Sequence, residues 1–234
     1  MTALVLVHGG GFDGRCWDPL MPHLDHPAIA VDLPGRGGRP APLDEVTFAA
    51  CAEAIAEDID RAGFDQVVLV VHSLGGCSVA PTLALLGDRV RHIVFVAATV
   101  PADGHSTQDE WSSELAQSID EDRRRGGPTM AEDRVRARFG NDMNEDQLAW
   151  CMARLVPEAE PLINERVDLA PLQAPVPRTW VLTTLDAILG PEMQRRFIDH
   201  VGGDCQVVEL EAGHMCMITQ PEALAAILNG VAGG

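Results

Sequence analysis

Lysine and tyrosine are both missing from this chain of 234 residues, and aromatic side chains make up only 4% of it. All 17 basic residues are therefore arginines, set against 35 acidic ones for a formal charge of −18. A surface this acidic repels phosphate backbones and anionic headgroups, which argues against nucleic-acid and membrane partners. No apolar run approaches the roughly 20 residues that span a bilayer. The opening segment, Met1-Thr2-Ala3-Leu4-Val5-Leu6-Val7, has no basic flank and no cleavage-like pattern. It leads straight into glycines and reads as a buried strand, so the chain is expected to be cytoplasmic. Cys16, Cys51, Cys77, Cys151, Cys205 and Cys216 are scattered, with no C-x-x-C pair. They read as free, mostly buried thiols rather than a disulfide framework. No grouping at metal-ligand spacing occurs, so no metal is expected.

What is present is core material. Hydrophobic residues make up 46% of the chain, enough for one domain with an insertion. Short β-branched runs at 4–8, 28–33, 66–71, 91–98, 180–184 and 206–210 alternate with helical patterns. One helix is expected over 47–62, with Thr47 as its cap and Gly63 as its stop. Others are expected after residue 76, near 191–200 and from Pro221 onward. This alternation predicts an α/β fold: a mostly parallel sheet with helices on both faces. Residues 102–172 are polar and helical in pattern, with no buried strand. They are expected to form a helical cap inserted into a core built from 1–101 and 173–234. The run Arg123-Arg124-Arg125-Gly126-Gly127-Pro128 reads as a solvated face or loop.

Three stretches carry chemistry. Val71-His72-Ser73-Leu74-Gly75-Gly76 sits where a strand turns sharply into a helix, the context that a nucleophile elbow requires. Such a turn exposes the Ser73 hydroxyl at the carboxyl edge of the sheet and aims backbone N–H groups at developing negative charge. His8-Gly9-Gly10-Gly11 follows the first strand and can supply a second donor, so Gly10 and Leu74 are the expected oxyanion pair. Glu211-Ala212-Gly213-His214 follows the last strand. Serine needs a base, and His214 is the histidine placed at the strand edge where catalytic groups gather. Asp186, after the strand at 180–184, completes the chain order serine, acid, histidine. Asp103 is the alternative acid.

Together these motifs resemble the α/β-hydrolase superfamily, within it the branch of plant methylesterases, hydroxynitrile lyases and small bacterial esterases. The resemblance runs through Leu6-Val7-His8-Gly9-Gly10-Gly11 with Cys16-Trp17, then Val70 to Gly76. It continues through Phe95-Val96-Ala97-Ala98 with Pro101, Thr183-Thr184-Leu185-Asp186, and Gly213-His214-Met215 before Gln220-Pro221. It implies ester hydrolysis by a Ser-His-Asp triad under a small helical cap, with a small-molecule substrate and no cofactor. The lyases of the branch typically carry a Lys after the catalytic histidine and a Thr in the first turn. Here Met215 and Gly10 stand in those places, the esterase pattern. One departure is Val71, where the family motif has its first glycine; a β-branched residue there should crowd the elbow.

Trp111, Phe139, Met143, Trp150 and Met152 from the cap, with Met215 and Met217, are expected to line an apolar pocket for a neutral ester or lactone. Two rivals remain: C–C bond cleavage or another non-ester chemistry on the same triad, and a small-molecule-binding protein with little turnover.

Overall fold

The central β-branched runs form strands that are buried on both sides, as a sheet covered on both faces demands, while the edge runs at 28–31 and 205–210 are partly exposed. The computed structural model describes residues 2–125 and 129–234. Among these, six strands make one sheet: β1 (Ala3–Val7), β2 (Ala28–Val31), β3 (Val67–His72), β4 (Val90–Val96), β5 (Arg178–Thr183) and β6 (Cys205–Leu210). Their order is β2-β1-β3-β4-β5-β6, and every neighbouring pair is parallel. The helices are α1 (Phe48–Ala62), α2 (Val79–Leu86), α3 (Ser113–Arg125), α4 (Glu132–Arg138), α5 (Glu145–Met152), α6 (Pro161–Asn164), α7 (Pro191–Val201), α8 (Cys216–Thr219) and α9 (Pro221–Gly233).

The two-residue period of the strands divides the core. Val5, Val7, Leu69, Val71 and Phe95 face one way and pack with Ile55 of α1, Leu83 of α2 and Phe197 of α7. Leu4, Leu6, Val68, Val70 and Val94 face the other and pack with Leu224 and Leu228 of α9. The α1 ends behave as their residues dictate. The Thr47 side chain accepts from Ala50 N–H at 3.1 Å, and Gly63 closes the helix at φ 68°. Between β1 and β2 the chain makes two short 3-10 turns instead of a helix, which carry Trp17 and Leu20 into the core.

Among the described residues, the span 102–172 holds α3 to α6 and no strand longer than one bridge, between Ser106 and Arg166. It is not set apart from the core. Val135, Phe139, Leu148 and Cys151 join one face, and Ala159, Leu162, Val167 and Leu172 join the other. Arg123, Arg124 and Arg125 end α3, with Arg124 exposed, while Gly126-Gly127-Pro128 lie outside the described residues. All six cysteines are free, and burial pushes the Cys51 and Cys77 thiols up to about 12. Among the described residues, no helix is long and apolar enough to cross a membrane.

Candidate active site

β3 ends at His72, and the next residue turns the chain. Ser73 has φ 49°, a left-handed conformation that costs a side-chain-bearing residue of order 1 kcal/mol or more. A tight 3-10 stretch (Ser73–Ser78) follows before α2 begins. Close packing holds this turn. A Cβ on Gly75 would lie 2.7 Å from the His8 carbonyl oxygen, so only glycine lets the elbow meet the first turn. Thr99 N–H donates to the Ser73 carbonyl at 2.8 Å from the neighbouring strand end. Val71, expected to crowd the elbow, takes its place in the core instead. Its side chain is fully buried within the sheet face, in register with Val7 and Phe95.

The later loops bring a base and an acid to the same edge. His214 Nε2 lies 3.0 Å from Ser73 Oγ, and its Nδ1 lies 2.7 Å from Asp186 Oδ2. Burial of the Asp186 carboxyl works to raise its pKa. The adjacent His214 ring and the N–H groups of Leu189 and Ile188 outweigh that and hold it below the usual range. An ionised carboxylate only accepts, so Nδ1–H donates to Asp186 and Nε2 is free to accept from the Ser73 hydroxyl. Thr183 Oγ1 donates to Oδ2 at 3.0 Å, and Ile188 and Leu189 N–H donate to Oδ1 at 2.9 and 2.8 Å. Asp103, the alternative acid, instead accepts from Leu169 N–H at 2.9 Å. The line Asp186–His214–Ser73 can draw a proton from the hydroxyl and support the imidazolium that results.

Ser73 opens on a cavity of about 560 Å³. Gly10 and Leu74 line it beside the serine, and Trp111 and Phe139 line it from the insertion. Phe139 also stacks on His214, with ring centroids 5.6 Å apart. Five residues expected in the pocket pack elsewhere. Met215 is fully buried in the α9 face of the core. Met143 and Trp150 pack against that same cluster from outside, and the Arg154 guanidinium lies 3.6 Å over the Trp150 ring. Met152 and Met217 also belong to this packing. The cavity takes its apolar wall instead from residues such as Leu115, Ile119, Leu155 and Ile163.

Several polar residues with no local sequence signal support the site. Asn141 Nδ2 donates to the Leu185 carbonyl at 2.7 Å, and Asp142 Oδ2 accepts from Gly213 N–H at 2.6 Å. Adjacent residues from the insertion thus hold the chain one residue before Asp186 and one before His214. His72 Nε2 donates to the His214 carbonyl at 2.9 Å. Val156 N–H donates to the Gly11 carbonyl at 2.9 Å, and Gly11 N–H donates to Glu158 Oε2 at 2.6 Å.

Fold and site together define a class: parallel-sheet proteins with a serine on a left-handed strand-to-helix turn and an imidazole–carboxylate pair on two later loops. The family model described as "Alpha/beta hydrolase family" matches residues 4–227, and the chain belongs to that family. A probable hydrolase of Phoma sp. is 29% identical over 90% of this chain and 88% of its own. Polyneuridine aldehyde esterase of Rauvolfia serpentina is 28% identical over 96% and 93%. An extracellular alpha/beta-hydrolase from a Paenibacillus species superposes with a TM-score of 0.86 at 22% identity, over the whole of both chains. The Rauvolfia esterase fits the branch that the motifs resemble.

Proposed function

We propose that the chain is a serine hydrolase that cleaves a small, neutral, largely apolar carboxylic ester or lactone through an acyl-enzyme on Ser73. The observation that carries this reading is the continuous line from Asp186 through His214 to Ser73 Oγ, opening on the 560 Å³ cavity. His214 takes the Ser73 proton as Oγ attacks the carbonyl carbon, then gives it to the departing alcohol. The N–H groups of Gly10 and Leu74 receive the developing oxyanion, each worth about 100- to 1000-fold in rate. Water, deprotonated by the same imidazole, releases the acid. These steps call on no metal or cofactor. Residues 102–172 act as the cap, and Trp111 and Phe139 help to shape the substrate space. The name of the Rauvolfia relative, an esterase, supports ester cleavage as the reaction.

A fluorophosphonate probe tests this directly, alongside turnover of 4-nitrophenyl esters of increasing acyl length. Labelling at Ser73 is expected in the wild type and absent in Ser73→Ala. Either Ser73→Ala or His214→Ala should lower kcat by about 10³-fold or more. A folded wild type that is neither labelled nor active overturns the reading.

A further inference from the structure

Glu158 presents a carboxylate to the cavity, a charge that the steps above do not use. It lies on the irregular stretch after α5, with 21% of its side chain exposed. Its Oε1 accepts from the Arg36 guanidinium and from Ala159 N–H at 2.7 Å. Its Oε2 accepts from Gly11 N–H at 2.6 Å. Arg36 is itself inside the protein, its side chain 1% exposed, and it also donates to the Pro34 carbonyl at 2.9 Å. The anion is therefore pinned by a buried cation and two backbone N–H groups. A carboxylate oxygen takes about two donors, so Oε2 keeps acceptor capacity on its cavity side.

The first glycine turn makes room for this group. A Cβ on Gly10 would stand 2.6 Å from Glu158 Oε2, closer than side chains tolerate. The carboxylate thus fills the place that a side chain at position 10 would take, next to the N–H proposed to receive the oxyanion. A substrate atom a few bonds from the reacting carbonyl must meet it. There a hydroxyl or ammonium gains a charge-assisted hydrogen bond, a methyl group strips water from the anion without replacing it, and a carboxylate is repelled.

We propose that Glu158, held by Arg36, is a specificity-determining acceptor that selects esters bearing a hydroxyl or ammonium group two or three bonds from the scissile carbonyl and rejects anionic ones. This rests on the ester-hydrolase reading and supplies its substrate class. The test measures kcat/KM over two matched series. One varies the acyl chain of 4-nitrophenyl esters: butanoate, 3-hydroxybutanoate, 3-aminobutanoate and hemisuccinate. The other varies the alkoxy group of butanoate esters: propyl, 2-hydroxyethyl, 2-ammonioethyl and carboxymethyl. In at least one series the wild type should prefer the donor-bearing esters by about tenfold or more over the alkyl ester, and should turn over the anionic ester more slowly still. Glu158→Ala should erase both preferences. Because that change leaves Arg36 buried without its partner, the double variant Arg36→Met/Glu158→Ala is measured beside it. Equal rates across both series in the wild type, or preferences that survive in whichever of these variants folds, overturn the proposal. Loss of the underlying reading shows separately, as a wild-type Ser73 that the fluorophosphonate does not label, and the subsite falls with it.

Discussion

Val71 stands two residues before the nucleophile, where the family motif carries glycine, yet its side chain lies within the sheet face formed by Val5, Leu69 and Phe95. Removing it would empty part of that core and loosen the strand that carries Ser73. Val71→Gly is therefore expected to cost about 3 kcal/mol in unfolding free energy without raising kcat for a 4-nitrophenyl ester. Denaturant melts and initial rates check this together; a gain of several orders of magnitude in rate would mean that valine mis-sets the elbow. The meeting of Ser73, His214 and Asp186 at one edge was legible because each comes just after a strand of the sheet. Met143, Trp150 and Met215 were not, because an apolar side chain in a helical pattern does not announce which wall it joins. Here the α9 face of the core claims all three. Glu158 was hidden for a different reason: its partners Arg36 and Gly11 lie more than a hundred residues away in the chain.

Among the elements, the central strands could be read almost to the residue, because burial on both faces leaves little room for polar side chains. The insertion was legible only as helices. Its contacts with the site include single side-chain bonds to backbone at 11, 185 and 213, which no periodicity encodes. Asp142 meets Gly213 N–H, so it bears on His214 through the backbone and acts as a positioning residue. Asp142→Ala is expected to lower kcat about tenfold with KM little changed, since small misplacements of a base are costly. Asp142→Asn, which keeps an acceptor for that N–H, should restore most of the rate. Variants that alter only the melting temperature would reduce this contact to a staple between insertion and sheet.

Across the whole molecule, two interior imidazoles set the response to acid. Burial holds His8 down at about 4, and burial together with the nearby His214 holds His72 at about 3. The unfolded chain protonates both near 6.5, so between pH 6.5 and 4 it binds more protons than the native state and stability falls with pH. At pH 4.5 the two amount to about 5 kcal/mol together. Asp186 works in a lower window: its depressed carboxyl contributes stability above about pH 4, lost only as pH falls further. Relief of the −18 charge works the other way over the same range, since the chain nears neutrality at about pH 4.6, so the histidine effect is read against variants that lack the rings. The fall in urea midpoint from pH 7 to pH 4.5 should be smaller in His8→Gln and His72→Gln than in the wild type, and an equal fall in all three would mean that both rings accept protons inside the fold. The bonds that run from the insertion to the glycine turn, the acid loop and the histidine loop have a last consequence, for descent and for engineering. A foreign insertion grafted onto this sheet must supply again the contacts made by the Asn141, Asp142 and Glu158 side chains and the Val156 N–H. Exchange of whole modules between relatives is therefore a poor route to new specificity here, and stepwise change at residues such as Trp111, with those four retained, is the open one.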